Sequence, residues 1–542
     1  MLKCDRVRIS RTHRRTLRTT TMPNLEIKLP RYADIIYPIL SFAGGMNTHA
    51  SELLLGRDVR FGLRHDQARL IINMVRTQSG ALTTRPGRVK LNATPVVPAA
   101  GDAEIRSIFE LRPTGGNSSI LINAGNTIYK WDTGSSSFVS QGTVVTANLR
   151  RHWCQFQDLA VGFDGSNAPV RYNGTTLANL AGSPPAGATV CAAHRNRVWA
   201  LQGRTLHYSA LGNAEDWTTA NNAGSVPVPT TRGLGGTGLL SIWERLLIFT
   251  DSQIFQLFGS GPGTFEVSPI NLQYGHRGSP YGVVAAGNDI FFANDIGAHA
   301  VSVAESLSVV GDVEYSAASG VIEPTWQDVD ATNLGNIVAV HDSTRNLVIF
   351  LANRLGANNT EAFVADYYHL DEQGNPTWSL YSNMPFSSAA EVSSLNTFRE
   401  VLFGAYNGYV YRQTAAETDD GTSIPIQLQF ITDLGVPEFH KLWRHMLALV
   451  HGASGIITGT FASDFGEHSI AFTIDPVVGG GDLIGSTFVI GTSTLGTASF
   501  KQVRVPIPDH GRIATITLNS SSSRRITIGG FIFYAGRRRV LQ

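Results

Sequence analysis

The glycine run Gly233 to Gly238, GLGGTG, has the spacing with which a strand–turn–helix unit binds the pyrophosphate of a dinucleotide. Asp251 follows the run. In such units an acid downstream of the glycines accepts hydrogen bonds from the ribose of the cofactor. That unit needs a buried strand before the glycines and a full crossover helix after them. Here VPVPTTR precedes the run, and the next apolar run follows too soon for a helix. We therefore interpret the run as a flexible surface loop between repeated β-units, and we expect no cofactor.

A second candidate is DEQGNPTW, Asp371 to Trp378, which resembles the Asp-box turn of sialidases. In that turn an acid and a glycine hold a hairpin together, and a tryptophan packs beneath it. The spacing departs from the pattern here, and no second clear copy is present. Because the box is structural even in a sialidase, we expect Trp378 to fill a hydrophobic core and to take no part in catalysis.

The remaining residues with chemical potential are scattered. The sequence has no histidine pair at helical metal-binding spacing, no phosphate-binding lysine loop and no Gly-x-Ser-x-Gly elbow. Its cysteines have no paired spacing. Four histidines stand beside apolar or aromatic neighbours, where a structural role is common: His152, His194, His207 and His369. Five acids fall at strand ends, where carboxylates accept hydrogen bonds from turn amides: Asp158, Asp164, Asp216, Asp295 and Asp366. A carboxylate pair could be hidden among them, because sequence separation does not fix spatial separation. We nevertheless expect no catalytic residue, no metal ligand and no enzyme activity.

The composition is that of a low-charge, turn-rich protein. The chain has 542 residues, of which 42% are hydrophobic and 16% charged, with 55 glycines and a formal net charge of +1. A net charge near zero argues against a surface that holds nucleic acid or anionic lipid by bulk electrostatics. No apolar run is long enough to cross a bilayer and no signal-peptide core is present, so we expect a soluble protein made in a cytoplasm.

Residues 1–21 form a basic leader with a single acid, Asp5. It has three interpretations: a transit peptide, a disordered arm that touches nucleic acid, or an upstream in-frame extension without function. The third is favoured by Met22, which begins a segment that looks like a natural start.

Residues 95–415 repeat one pattern, in which a short apolar run, a Gly/Asn/Asp turn and a second run are often followed by an aromatic residue. Each unit must stack on its neighbours to bury its apolar face. The pattern predicts an all-β fold with a β-propeller of roughly six to eight blades, and a run of β-sandwiches is the competing architecture. Longer alternating strands predict a C-terminal β-sandwich-like domain over residues 416–542. Residues 22–94 would form an N-terminal arm or assembly segment.

Helix is expected to be scarce. The two best candidates are HASELLLG, residues 49–56, and LRHDQARLIINMV, residues 63–75, where Leu and Ile recur at helical spacing. The β-branched and arginine content of the second segment leaves a strand open as the alternative.

The segment from Ser41 to Asn92 resembles the N-terminal signature of tail hub and nozzle proteins of short-tailed bacteriophages, a podovirus-like family that includes packaged-DNA stabilisation proteins. In that family a Gly-Gly-(Leu/Met)-Asn turn leads through an apolar segment to a closing Arg-x-Gly. Residues 193–217 follow a second pattern of the family. The first segment matches at Gly44, Gly45, Asn47, Asn73, Gly80, Leu82, Arg85, Pro86 and Gly87. The second matches at His194, Asn196, Arg197, Trp199, Tyr208, Ser209 and Trp217.

The resemblance implies a structural virion protein of the phage tail, made in the host bacterial cytoplasm. It implies a homo-oligomeric ring, a hexamer, attached below the portal and adaptor, with tail fibre or spike proteins as further partners. The lumen of the ring would retain double-stranded DNA without sequence specificity and conduct it during ejection, and no small-molecule substrate is implied. The rival hypothesis is a glycan-binding or glycan-hydrolysing β-propeller of the sialidase or lectin type. A bacterial surface scaffold is a third, which the lack of a signal peptide disfavours.

Overall fold

The structure is a computed structural model that describes residues 34–50, 63–231, 235–271, 275–302, 315–316, 318–354, 356, 358–371, 374–395, 398–436, 439–452, 454–464, 468–477 and 500–538. Strands dominate these ranges. Helix is limited there to α1 (Glu323–Gln327) and two 3-10 turns (Gly320–Ile322 and Ala331–Asn336). Within the same ranges, no helix is both long and apolar enough to cross a membrane.

The N-terminal part of the chain supplies seven short strands that join sheets formed by later residues. They are β1 (Asp34–Ile39), β2 (Gly45–Met46), β3 (Gln67–Ala68), β4 (Leu70–Ile72), β5 (Met74–Arg76), β6 (Leu82–Thr84) and β7 (Arg88–Lys90).

Five four-stranded antiparallel sheets follow, and each is one blade of a propeller. Blade one is β8 (Ile105–Leu111), β9 (Ser119–Ala124), β10 (Thr127–Asp132) and β11 (Ser137–Thr143). Blade two is β12 (His152–Phe156), β13 (Leu159–Phe163), β14 (Val170–Tyr172) and β15 (Leu177–Asn179). Blade three is β16 (Val190–His194), β17 (Arg197–Gln202), β18 (Thr205–Tyr208) and β19 (Gly224–Pro227). Blade four is β20 (Gly236–Ile242), β21 (Arg245–Thr250), β22 (Ile254–Phe258) and β23 (Glu266–Asn271). Blade five is β24 (Val283–Ala286), β25 (Asp289–Ala293), β26 (Ala298–Ser302) and β27 (Tyr315–Ser316).

Two further blades complete the propeller. Blade six is β28 (Val338–Asp342), β29 (Leu347–Ala352), β30 (Glu361–Leu370) and β31 (Pro376–Ser382). Blade seven is β32 (Phe386–Val392), β33 (Glu400–Ala405) and β34 (Val410–Gln413), and its outer strand is β7 from the N-terminal part of the chain.

The seven innermost strands close into a ring. Each contacts the innermost strand of the next blade, and β32 of blade seven contacts β8 of blade one. Closure leaves few free sheet edges, and β7 covers the outer edge of blade seven by pairing antiparallel with β34. The predicted propeller is confirmed and has seven blades, within the expected range.

The C-terminal residues form a β-sandwich, as predicted, together with N-terminal strands. The hairpin β35 (Thr418–Asp419) and β36 (Thr422–Ser423) leads into β37 (Ile426–Thr432), β38 (His440–Gly452), β39 (Ile457–Ser463), β40 (His468–Ile474), β41 (Lys501–Gly511), β42 (Ala514–Ser520) and β43 (Ile526–Arg538). One sheet has the order β41-β38-β43-β6-β5, with β1 also on β43. The other has the order β4-β37-β42-β39-β40.

The sandwich and the propeller are continuous. Strand β4 pairs parallel with β31 of blade six at Leu380 and antiparallel with β37 of the sandwich, so one sheet runs through both units. One buried apolar cluster likewise includes Phe291 of blade five, Trp378 of blade six and Phe533 of the sandwich. The segment 22–94, expected as an arm, contributes through its described residues to both units.

Two local expectations are settled by the structure. The helix candidate over residues 63–75 is replaced by β3, β4 and β5, the strand alternative that the sequence left open, because β-branched Ile71 and Ile72 fit a sheet and β4 gains partners on both sides. The glycine run is not a surface loop in its described part, because Gly236 and Gly238 lie in β20. A Cβ atom at Gly236 would collide with Leu201, so the glycine permits close packing of blade four on blade three. The other helix candidate, HASELLLG, lies almost entirely outside the described residues.

Candidate functional site

Arg150 crosses the propeller axis at the face where the innermost strands begin. It precedes β12 of blade two, and its guanidinium donates to Ser279 Oγ at 3.1 Å and to the carbonyl oxygens of Ser387 at 3.1 Å and Gly335 at 3.5 Å. These acceptors lie at the starts of blades five, seven and six, on the other side of the ring. An arginine side chain therefore spans the propeller tunnel at this face.

Three ionisable side chains lie near Arg150. Tyr281 and His152 are held in their neutral forms, and Glu104 forms an ion pair with Arg106. The Arg150 guanidinium lies 5.7 Å from the ring centre of Tyr281, and burial raises the pKa of that phenol. Burial also raises the pKa of Glu104, although Arg106 at 2.7 Å opposes the shift. Burial lowers the pKa of His152 to about 4, so its imidazole is neutral at pH 7. Through these contacts Arg150 connects blade two to blades five, six and seven across the tunnel.

A second buried polar group joins the propeller to the sandwich, and we call it the junction cluster: Asn73, Arg85, Arg88 and Asp419. Asn73 lies between β4 and β5 with a φ of 56°, a conformation that asparagine tolerates better than most residues. Its Nδ2 donates to Ser382 Oγ and to the Pro425 carbonyl, both at 2.7 Å. Its Oδ1 accepts from Arg85 Nε at 2.8 Å and from the Ser382 amide at 3.0 Å. One buried amide thus connects blade six, the N-terminal strands and the start of the sandwich.

Two guanidinium groups share one carboxylate in this cluster. Arg85 donates to both oxygens of Asp419, at 3.0 and 2.6 Å, and Arg88 lies 3.2 Å from one of them. The three side chains are at most 7% exposed. Arg88 also lies 4.7 Å from the ring centre of Phe386. Burial lowers the pKa of Arg88 to about 10, and Asp419 opposes that shift.

Pro86 and Gly87 bring β7 close to the chain that leads into the sandwich. The Pro86 carbonyl accepts from Arg85 Nη1 at 3.1 Å, and the Gly87 amide donates to the Ala416 carbonyl at 2.7 Å. A Cβ atom at Gly87 would collide with the carbonyl of Thr418, so only glycine fits there without a backbone shift.

The first motif turn packs against the hairpin of blade six. Gly45 has a φ of 66°, and a Cβ atom there would lie 2.8 Å from Thr377 Cβ. A Cβ atom at Gly44 would collide with Gln67. Asn47 Oδ1 accepts from the amides of residues 49 and 50, and its Nδ2 donates to Gln67 Oε1 at 3.0 Å. The turn is therefore fixed by its own asparagine.

Trp378 fills the core beneath that turn, as predicted. Its side chain is buried in the cluster shared by the propeller and the sandwich, and its Nε1 donates to the Ala318 carbonyl at 2.8 Å. The hairpin before it is closed by Asp371, which accepts from the Asn375 amide at 2.9 Å.

The second motif group lies inside blade three. Trp199 is buried, and its Nε1 donates to the His194 carbonyl at 3.1 Å. His194 Nδ1 lies 3.0 Å from Ser241 Oγ of blade four, and burial lowers the pKa of this histidine to about 4. Arg197 donates to the Ser209 carbonyl at 2.7 Å and lies 5.5 Å from the ring centre of Tyr208. These side chains hold the blade together.

Asn196 and Trp217 complete that group. Asn196 has a φ of 55° in the turn between β16 and β17, and its Oδ1 accepts from Gln157 of blade two at 3.2 Å. Trp217 Nε1 donates to the Ala214 carbonyl at 2.8 Å, and its ring packs on the edge of Phe163. The motif residues therefore occupy three separate places: the turn against the blade six hairpin, the surroundings of the junction cluster, and blade three.

The acids at strand ends behave mostly as predicted. Turn or neighbouring-loop amides donate to Asp158, Asp164, Asp216 and Asp366. Asp295 instead pairs with Arg277 at 2.8 Å. Among the described residues, no group of three or more His, Cys, Asp or Glu side chains could hold a metal ion.

Several aromatic side chains are exposed on the face of the propeller that lies opposite Arg150. The turn between the first two strands of each blade lies on this face. Trp243 is 54% exposed in the β20–β21 turn and has a φ of 50°, which is strained for a bulky side chain. Arg195 of blade three donates to the Glu244 carbonyl beside it at 3.3 Å. Tyr368 and Phe398 are 65% and 74% exposed. Exposed aromatic residues of this kind are typical of interaction surfaces.

The residues that the sequence reasoning missed are Arg88, Asp419 and Arg150. Arg88 follows the motif arginine by three positions, and this spacing alone was a weak signal. Asp419 is separated from Arg85 by 334 residues, so no local pattern joins them. Arg150 lies between two of the repeated apolar units, and its sequence context carries no signal.

Comparison with known proteins adds only distant structural likenesses. No protein-family model and no curated protein matches the chain. The N-terminal domain of Nup159 aligns with 64% of this chain and 98% of its own at 8% identity and a TM-score of 0.39. A chain of the mitotic checkpoint complex aligns with 60% of this chain and 98% of its own at 10% identity and a TM-score of 0.38. YCF48 bound to a D1 peptide aligns over the same shares at 11% identity and a TM-score of 0.33. Likenesses this distant carry no argument about function.

Proposed function

We propose that the chain is a structural subunit of a short-tailed phage tail, a nozzle or hub that assembles as a ring below the portal and adaptor. The observation that carries the proposal is the junction cluster. Asn73 and Arg85, which match the N-terminal signature of that family, connect blade six, the N-terminal strands and the sandwich through buried hydrogen bonds. A ring that resists the pressure of packaged DNA needs subunits whose domains do not move relative to each other. The hydrogen bonds of Asn73 and Arg85 restrict such movement between the propeller and the sandwich.

The axial arginine favours one path for DNA over another. Because one arginine side chain reaches across the propeller tunnel, that tunnel is too narrow for a DNA duplex. DNA would instead travel through a lumen enclosed by several copies of the chain. A subunit with a formal net charge of +1 suits such a lumen, since each added phosphate contact would slow passage.

Electron microscopy of the full chain, alone and mixed with the portal–adaptor complex of the same virus, tests the proposal. We expect six-fold rings, or density added to the distal end of the adaptor. An Asp419→Asn variant, which loosens the junction cluster, should assemble less well than an Asp295→Asn control. Monomers that ignore the portal–adaptor complex at micromolar concentration would contradict the proposal.

A glycan-binding propeller is the second candidate, and the exposed Trp243 favours it. An indole next to a guanidinium is a common platform for a sugar ring, and Arg195 lies beside this turn. An oligosaccharide array probed with the wild type and with Trp243→Ala separates the two functions. Binding that depends on Trp243, by a protein that forms no ring, would favour the glycan hypothesis.

A further inference from the structure

A cleft of about 300 Å³ opens beside the junction cluster, between blade seven and the β35–β36 hairpin. Aromatic side chains, Phe386 and Tyr411, form one part of its wall, and polar Thr422 and Asp420 form another. Arg88, with a side chain only 7% exposed, also lines it. The volume is at the lower end of the range of small-molecule pockets, so the cleft is large enough for a group the size of one ring.

In the two ion-pair groups beside this cleft, cations outnumber carboxylates. Arg85 and Arg88 contact the single carboxylate of Asp419, at 2.6 and 3.2 Å. Lys90 pairs with Asp420 at 2.8 Å, and this pair is more exposed. Among these described residues three cations therefore meet two carboxylates, and the two arginines that share one carboxylate lie on the buried side. A buried charge without its own counter-ion is unfavourable, and a bound anion would offset that cost.

The hydrogen bonds of Arg88 indicate where the anion would lie. Its Nη2 donates to the Asn383 carbonyl at 2.7 Å and lies 3.2 Å from Asp419 Oδ2, whereas the partner of its Nη1 is the Met384 thioether sulfur at 3.1 Å, so the anion would lie at Nη1. Sulfur is a weak acceptor, while a guanidinium fork matches the two oxygens of a carboxylate. The ring centres of Phe386 and Tyr411 lie 4.7 and 5.9 Å from the guanidinium carbon. Phe386 is only 1% exposed, so Tyr411, which is half-buried, is the ring that a group bound to Arg88 would meet.

We propose that this cleft binds a carboxylate carried on an aromatic or apolar body, with Arg88 as the anion anchor and the ring of Tyr411 as the surface for the body. The carboxylate belongs either to a free small organic acid or to an acidic residue of a protein partner, because both present the same chemistry. The site does not depend on the proposed role in a phage tail.

Calorimetric titration of the full chain with benzoate and with benzamide tests the charge requirement. A six-residue peptide that ends in Phe-Glu, and its counterpart ending in Phe-Gln with an amidated C-terminus, test the protein source. We expect the charged member of at least one pair to bind at least tenfold more tightly than its neutral counterpart. Arg88→Lys, which keeps the charge but loses the fork, should weaken that binding at least tenfold, and Arg277→Lys on an exposed pair should leave it unchanged.

A substitution can also supply the carboxylate from the chain itself. Thr422→Glu should raise the melting temperature above that of Thr422→Gln and should remove the binding of the charged probe, because its side chain occupies the cleft. Benzoate binding alone identifies a small acid as the ligand class, and peptide binding alone identifies a protein partner. The proposal is overturned if neither charged probe binds, if the neutral probes bind equally well, or if Thr422→Glu and Thr422→Gln leave binding equally intact.

Discussion

Replacing Asp419 with Asn tests how firmly the junction cluster joins the two units. The substitution keeps the shape of the side chain but removes the only carboxylate that contacts Arg85 and Arg88 within the described residues. Arg85 loses two charge-assisted hydrogen bonds, of 3.0 and 2.6 Å, and each such bond is worth roughly 1.5–3 kcal/mol. Together the two bonds are worth roughly 3–6 kcal/mol. Loss of one partner from a buried ion pair costs about 3–5 kcal/mol, which lies in the same range. We therefore expect the free energy of unfolding to fall by about 3–5 kcal/mol.

Urea unfolding followed by tryptophan fluorescence measures this change. Buried Trp378 reports on blade six and buried Trp443 on the sandwich, so single-tryptophan variants separate the two units. The wild type should unfold in one transition, and Asp419→Asn should unfold at a lower urea concentration, with a larger gap between the transitions of the two tryptophans. Asp295→Asn, which breaks an ion pair exposed on both sides, should cost no more than about 1 kcal/mol. Equal effects of the two substitutions would refute the view that the junction cluster couples the units.

Three further outcomes are expected. Asn73→Ala should lower the free energy of unfolding by about 2–4 kcal/mol in urea titration, because four buried hydrogen bonds are lost at a left-handed position; a loss below 1 kcal/mol would contradict this. Trp243→Gly should raise the melting temperature, because glycine adopts the φ of 50° without strain worth about 1–3 kcal/mol; a lower melting temperature would mean that the indole stabilises the fold. Burial holds the pKa of His194 and His299 at about 4, below the ordinary 6.5, so the unfolded chain binds protons first as the pH falls. The contribution of these two histidines to the free energy of unfolding is therefore fully present above pH 6.5 and is lost between pH 6.5 and 4, by at most about 3 kcal/mol per histidine. His194→Gln should make this pH-dependent loss smaller in urea titrations at several pH values.

The propeller could be predicted because its signal is local. Each blade begins with a hairpin, and the turns carry residues such as Asn196 or Gly287 that accept a positive φ. A short apolar run on each side of such a turn marks a strand pair, and counting the pairs approximates the number of blades. The sandwich was predictable for a similar reason, since β38 and β41 alternate buried and exposed residues over long stretches.

The junction could not be predicted, because its partners are distant in the chain. The spacing of Ile71, Ile72 and Val75 fits a helix as well as a strand, and only pairing with β31 and β37 decides between them. The glycine run lacks the strand and helix of a dinucleotide site and so resembles a loop, and nothing in the sequence places Leu201 against Gly236. Asn73 and Arg85 were identified through a family pattern, but their role depends on Asp419 and Pro425, which no local rule connects to them.

The pairing of β7 with β34 has a consequence for how the protein is made. Arg88 pairs with Gln413, so the strand that closes blade seven leaves the ribosome 325 residues before its partner. At about 5–20 residues per second, it must wait roughly 16–65 s for that partner. During this time the blades emerge in order but the ring stays open, and β4 lacks both of its neighbours. The ring can close only after Gln413 has been made, so a product that ends before this residue lacks the closed propeller and the joined sandwich and is exposed to proteolysis.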